Sequence, residues 1–568
     1  MASLTKPNSH HPCKHGISPK ANEPDVTELL TAECYPITVA PGLSRLFLDF
    51  CAGEAAARPF HAAGSFDSSW RNRPSVPAHW QELVAVLAEQ NPAPAAAPAL
   101  EALRQGAGVV ATGQQVGLFG GPLFTPFKAS TALARARQAT AAGHPHAAIF
   151  WIASEDHDFA EINNVSFPAR RELRNLAYRP EFAAEAAEAA LPVGRLVLDD
   201  SILPLIEQAA QLLGPSEATD ALTAAYQPGR TLAQAFAEFY SRAFAAQGLL
   251  VLDANSRAIH RMGAPVLRAA IERADELHAA LLDRNAALEA AGYHAQVTVT
   301  AQSSLLFLID EATGARVALK RIAPNPAEPE GLWQAGSRGY STGDLLAILE
   351  SGPERISPSA LLRPVFQDFL LSTSLIVGGP AEIAYFAQSG VLYELILGRQ
   401  TPAAPRFSAT LVEPAIGELL RQHELTPERV FAETSASLAQ LLAARSMPIE
   451  GKRKLQAAGT ALDTELVLLL DWMKSQDTGL GQSADTAAGK IRYQMSRLRT
   501  LAANFQLQRE SSLTRHADAI SNALYPGGIL QERVHGAAWY FARHGFELAE
   551  ELTAQAANSC PGHTVLWL

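Results

Sequence analysis

The chain has 568 residues, 48% of them hydrophobic and 18% charged, which exceeds one ordinary core and predicts two or more folded domains rather than a disordered polymer. Its formal net charge of -11 disfavours collection of a phosphate backbone, so nucleic acid is not the expected partner. No apolar run approaches the roughly 18 to 20 residues that cross a bilayer, and the N-terminus lacks a signal-type apolar stretch, so a cytoplasmic protein without membrane contact is expected.

Residues 1 to about 30 are polar and aperiodic and read as a flexible extension, with His10, His11, Cys13 and His15 part of a mobile tail rather than a metal site. The four cysteines, Cys13, Cys34, Cys51 and Cys560, form no CxxC pair, which predicts reduced thiols and no structural zinc. From 31 to about 410, short apolar runs alternate with helical stretches, the pattern of a parallel α/β sheet with crossover helices.

Four strands are predicted, each running into polar or turn residues: Gly108 to Thr112 before Gly113-Gln114-Gln115, Ala147 to Ala153 before Ser154-Glu155-Asp156-His157-Asp158, Gly248 to Leu252 before Asp253, and Leu375 to Val377 before Gly378-Gly379-Pro380. Strand ends of one kind predict one shared crevice, the usual ligand position in open parallel sheets. Insertions are predicted at about 172–246, helical with a strand-like Gly194 to Leu198, and at about 290–350, where alternating Val297 and Val299 lead into a hairpin turning at Thr313-Gly314.

Over 411–524 the texture becomes long helices. Leu462, Leu466, Leu469 and Met473, then Ile491, Met495, Leu498, Ala502 and Phe505, keep coiled-coil spacing on either side of Gly479 and Gly481, which predicts an antiparallel pair. Such a pair is a local hairpin, a docking or dimerisation arm, or both. Residues 525–568 are expected to pack back on the rest.

The glycines of residues 112–122 bring backbone amides close to a ligand or simply make a tight turn. Gln114 and Gln115 can orient a sugar or amino acid, and Lys128 either adds charge over the same cleft or is a solvated helix lysine. Residues 154–159 crowd ionisable groups at a strand end, where charges repel unless paired, protonated or ligand-bound. His157 is the general-base candidate, with Asp156 or Glu155 setting its tautomer; a metal held by Glu155 and His157, or a plain polar loop, are the rival readings. In residues 361–388, Arg363 can clamp a carboxylate or phosphate, and Gly378-Gly379 and the helix start favour an anion. Glu382 and Tyr385 share one helix face, and Gln367 lies one turn past Arg363.

TGQQVGLFGGPLFTPFKA, FWIASEDHDFAEINNVSFP, LLRPVFQDFLLSTSLIVGGPAEIAYFAQ and LQERV, in this order, resemble the signature segments of the bacillithiol biosynthesis cysteine-adding enzymes from about residue 34 to the C-terminus. The resemblance implies a Rossmann-like core related to class I aminoacyl-tRNA synthetases, inserted connecting-peptide subdomains, and a C-terminal coiled coil supporting a homodimer. It implies a ligase that joins L-cysteine to the amine of glucosaminyl malate, with ATP and Mg2+ expected because amide condensation is uphill in water. HIGH and KMSKS signatures in standard form are absent. In this reading His157, Asp156 and Glu155 deprotonate the amine. Gln114, Gln115, Lys128, Asp158, Asn163, Arg363, Gln367, Gly378, Gly379, Glu382 and Tyr385 contribute to substrate binding. The contrasting expectation is a non-catalytic nucleotide- or sugar-binding relative of the same fold.

Overall fold

The computed structural model describes residues 30–169, 172–180, 190–322, 332–558 and 560–568. The proposed extension, with His10, His11, Cys13 and His15, falls outside them. Contacts divide the chain into two units. One runs through Phe167, continues over Arg174–Ala409 and takes back Glu532–Thr564, while the other is built on Thr410–Gln531. Among the described residues no helix is long and apolar enough to cross a membrane.

The first unit is centred on a five-stranded parallel sheet whose spatial order is Ala403–Pro405, Leu375–Gly378, Gly108–Gln114, His146–Ile152 and Leu250–Asp253. Its middle strands are near-continuous Val, Ala, Ile and Phe runs because helices cover both faces. From the central Gly108–Gln114 strand the chain first builds outward to one side, and it later returns to build the other. That reversal opens a crevice at the carboxyl ends of Gly108–Gln114 and Leu375–Gly378. The fifth strand was not anticipated, being only three residues long.

A second, antiparallel sheet carries the hairpin of Ser303–Ile309 and Arg316–Ile322, flanked by Ile356–Pro358 and by Leu332–Ala335 with Arg338–Tyr340. The strand expected at Val297 and Val299 does not form. The backbone of Val297 is satisfied by the side-chain amide of Gln388, which donates to its carbonyl at 2.9 Å and accepts from its N–H at 2.8 Å. The strand-like run expected at Gly194 to Leu198 is half realised: Val197 makes an isolated antiparallel bridge to Thr231, while Val193–Arg195 is a turn of 3-10 helix. It is held there because Gly194 N–H donates to Ser154 O at 2.8 Å and Val193 N–H to Asp156 O at 2.6 Å.

Cys34 and Cys560 are disulfide-bonded across a sequence separation of 526, correcting the expectation of reduced thiols. Sequence spacing carries no sign of the pair, since only the return of the last residues to the first unit brings it together. Cys51 is the free cysteine among the described residues.

In the second unit, Ile449–Gln476 and Thr478–Arg509 form the expected antiparallel helix pair, with Arg492 bonded to Asp463 at 2.9 Å and Lys474 to Asp485 at 2.9 Å. The turn is at Asp477, so Gly479 and Gly481 lie inside the second helix. The seam also differs. Leu462, Leu466, Leu470 and Met473 face Ala484 and Ala488, whereas Leu469, Ile491, Leu498 and Phe505 are exposed, Phe505 at 59%. Small alanines near the turn let the helices approach closely, so the larger apolar set on the second helix turns outward.

Candidate functional site

Around the crevice the side chains enclose a cleft of about 450 Å³. Three of the four predicted strand ends contribute to it: Gly113, Gln114 and Gln115; Glu155, Asp156 and His157; and Gly379 with Glu382 and Tyr385. The fourth does not. Asp253 binds the Ser154 hydroxyl and supports the 154–158 loop from outside the cleft.

Lys128 is a buried residue and not a solvated one, at 4% exposure. Its ammonium donates to Gly113 O and Gln114 Oε1, each at 2.7 Å, and pairs with Glu382 at 2.5 Å. Burial pulls its pKa below the ordinary lysine value, against the opposing pull of Glu382. Glu382 also accepts the Gly379 N–H at 2.8 Å and lies 4.0 Å from Arg363, whose guanidinium donates to the Tyr385 hydroxyl. The amide assigned to a ligand anion is thus already spent on capping its own helix. Gly378 is excluded from the cleft altogether: a Cβ there would lie 2.8 Å from the Phe386 ring, so close strand-to-helix packing requires the glycine.

On the other side, Asp156 is bound by Gln115 and accepts the His157 backbone N–H at 2.7 Å. Burial works against its charge, yet the Gln115 bond, Arg316 and the backbone donors together hold its carboxyl below the usual value. Glu155 meets Nε2 of the fully buried His260 at 2.7 Å, and the other ring nitrogen of His260 faces Ile356 O at 3.0 Å. His157 Nδ1 lies 3.2 Å from an N–H of Arg316.

Three expected substrate contacts lie outside the cleft. Asp158 caps the short helix Phe159–Ile162 by accepting from Glu161 N–H at 3.0 Å. Asn163 ends that helix with its amide directed to Tyr178 O, and Gln367 is buried within the helix Arg363–Leu371; none of the three lines the cleft. The glycine loop is likewise a turn, since the Gly120 N–H donates to the buried Tyr226 hydroxyl at 3.0 Å and its carbonyl accepts from Tyr240 at 2.8 Å.

Arg316, Arg406, Arg533, Glu161 and Phe307 line the cleft without having been anticipated. Arg406 follows the short fifth strand directly, so the rule that found the other strand ends would have found it. It is paired with buried Glu532 at 2.5 and 3.0 Å. Arg533 lies next to Glu532 in the LQERV segment. Arg316 and Phe307 arrive on the hairpin, whose strands and turn the sequence predicts but whose placement over the cleft no local pattern signals.

Residues 30–407 match the family described as "Bacillithiol biosynthesis BshC, N-terminal Rossmann-like domain", and residues 409–568 match its "C-terminal coiled-coil domain". The chain belongs to the bacillithiol biosynthesis BshC family. Relatives in this family named "Putative cysteine ligase BshC" include one from Koribacter versatilis, 39% identical over 94% of this chain and 99% of its own length. Those from Solibacter usitatus and Salinibacter ruber are 34% and 30% identical, covering 85% and 92% of this chain and 88% and 96% of theirs. The match to the family's two domains spans both the Rossmann-like sheet and the helical pair described above.

Proposed function

We propose that this protein is a cysteine ligase of bacillithiol biosynthesis, forming an amide between the carboxylate of L-cysteine and the amine of glucosaminyl malate. The observation that carries the reading is the division of charge across one cleft. Acid is in excess beyond the His146–Ile152 strand, where Glu155, Asp156 and Glu161 meet Arg316, and base is in excess toward the Leu375–Gly378 and Ala403–Pro405 strands, where Lys128, Arg363, Arg406 and Arg533 surround Glu382. An amine acceptor suits the first group and carboxylates or phosphates the second. The names of the relatives point to the same chemistry.

Forming an amide from a free carboxylate requires activation, and ATP, accompanied by Mg2+, would supply it as a mixed anhydride with phosphate. Lys128 and Arg363 share Glu382 and Arg406 is paired with Glu532, so with Arg533 this flank keeps an excess of positive charge that suits a polyphosphate. The chain's own part is orientation. Gln114 and Gln115 fix Lys128 and Asp156 on the two flanks, and Asp156 with Glu155 attracts the acceptor ammonium and takes its proton. The sheet order with its central reversal, and the two inserted segments, support kinship with the class I synthetase core and its connecting peptides. Exposed Leu468, Trp472, Leu498, Leu501 and Phe505 on the helix pair support a homodimer formed there.

Purified protein given L-cysteine and glucosaminyl malate with or without Mg-ATP, and followed by mass spectrometry, tests the reading. Bacillithiol forming only with ATP is expected. No product from folded protein under either condition would overturn it, and full activity in a folded Asp156→Ala variant would overturn the assignment of the acidic side.

A further inference from the structure

Arg316 is held on three sides before it reaches the cleft. It is 8% exposed, its Nε donates to Ser357 Oγ at 3.0 Å and one terminal nitrogen to Pro358 O at 2.9 Å, and its guanidinium carbon lies 3.8 Å from the centre of the Phe307 ring. The other terminal nitrogen meets His157 Nδ1 at 3.2 Å. A guanidinium has N–H donors and no acceptor, so Nδ1 has to receive that bond through its lone pair. A proton on Nδ1 would point at a second N–H beside a fixed positive charge. In the neutral ring the single proton therefore sits on Nε2.

We propose that Arg316 is a positioning residue that locks His157 as the Nε2–H tautomer, making His157 a hydrogen-bond donor in the cleft and not the general base. This rests on the ligase reading for the identity of the acceptor, the carbonyl oxygen of the activated cysteine carboxyl. As the amine nitrogen attacks the carboxyl carbon, the carbonyl π pair moves onto oxygen, and the His157 Nε2–H stabilises that charge without giving up its proton. Collapse restores the carbonyl and expels the phosphate oxygen with its bonding pair. The amine proton passes to a carboxylate of the acidic side.

The other groups around His157 agree with this. Asp156 Oδ1 lies 3.7 Å from Nδ1, beyond a hydrogen bond, because it is occupied by the His157 backbone N–H at 2.7 Å. Phe307 presents a ring 5.8 Å away and no acceptor. Burial first, and Arg316 next, lower the His157 pKa against the opposing charges of Asp156 and Asp158, so the ring is neutral near pH 7. A neutral imidazole donating through a fixed tautomer is an established way of polarising a carbonyl.

Two readouts test the proposal on the full chain. In ¹⁵N-imidazole NMR, with His157 identified by difference against His157→Gln, the expected state at neutral pH is protonated Nε2 and bare Nδ1. In Arg316→Met, or Arg316→Gln if the first variant does not fold, Nδ1–H population appears and the ring pKa rises. A wild-type ring protonated on Nδ1 would sink the idea.

In the cysteine ligation assay, His157→Gln keeps an N–H donor near the Nε2 position but cannot accept a proton. It should stay within about tenfold of wild type, while His157→Ala loses about 100-fold or more in kcat. A glutamine variant as impaired as the alanine one overturns the donor role. Absence of product from the wild type instead counts against the ligase reading, and the NMR tautomer then decides the proposal alone.

Discussion

Arg406 and Glu532 illustrate how a buried ion pair builds one wall of the cleft. Their side chains are 4% and 2% exposed, and they face each other at 2.5 and 3.0 Å. Glu532 also accepts from Ser408 at 3.1 Å. Burial opposes the Glu532 charge, but Arg406 holds its carboxyl below the ordinary value. Removing either partner strands the other charge in a dry site, so Arg406→Met or Glu532→Met should each cost about 3–5 kcal/mol. The double variant should cost much less than the sum of the two, as read from urea midpoints. The ionisable cluster at 154–157 was legible because repulsion among adjacent charges demands partners, and Glu382 and Lys128 were legible from helix position. Their pairing was not, because the fold of the chain across a sequence separation of 254 decides whether a lysine finds a carboxylate or water.

At the level of elements, the strand ends were readable since a fully buried strand has to be apolar until it leaves the sheet. What they point into depends on neighbours contributed by segments distant in the chain. The 193–195 turn is one such neighbour. A Cβ on Gly194 would lie 2.7 Å from Ser154 O and closer still to the Ser154 side chain, and none of those atoms is a flexible tip. Gly194→Ala should therefore displace the loop bearing Glu155, Asp156 and His157. We expect at least a tenfold loss of ligation, on the order of the penalty for roughly 1 Å of misplacement, with an unchanged far-ultraviolet spectrum. Equal activity would show that the turn does not position the loop. The hairpin is the second such neighbour. Its strands and turn were predictable, whereas its delivery of Arg316 to His157 was not.

For the whole molecule, the exposed apolar stripe on the helix pair predicts that Leu498→Lys combined with Phe505→Glu yields a monomer by sedimentation, with the helices intact. A dimer surviving the double change would place any association elsewhere. Acid sensitivity is a second global expectation. Burial, reinforced by Arg284, lowers His61 from 6.5 to about 3. Burial, with Arg406 adding and Glu532 opposing, lowers His563 from 6.5 to about 4. Below pH 6.5 the unfolded chain binds protons that the native rings refuse. Their contribution is complete above 6.5 and is lost as pH falls toward those values, at about 1.4 kcal/mol per pH unit for each ring. His61→Phe, which keeps an aromatic ring against Phe50, should flatten the fall in urea midpoint between pH 6.5 and 5; an unaltered slope would exclude His61 as a source.

Sequence by itself determined the α/β class, the main strands of the sheet, the hairpin and the long helix pair, because burial periodicity and turn chemistry act over a few residues. It also located the acidic cluster and the family, whose motifs are local strings. The tertiary structure alone decided which glycines are turns and which face of the helix pair is dry. It also decided that Cys34 meets Cys560 and that an arginine from the hairpin lies against Nδ1 of His157. Each of these depends on residues far apart in the chain, and their distance in space is set by packing that no local pattern encodes.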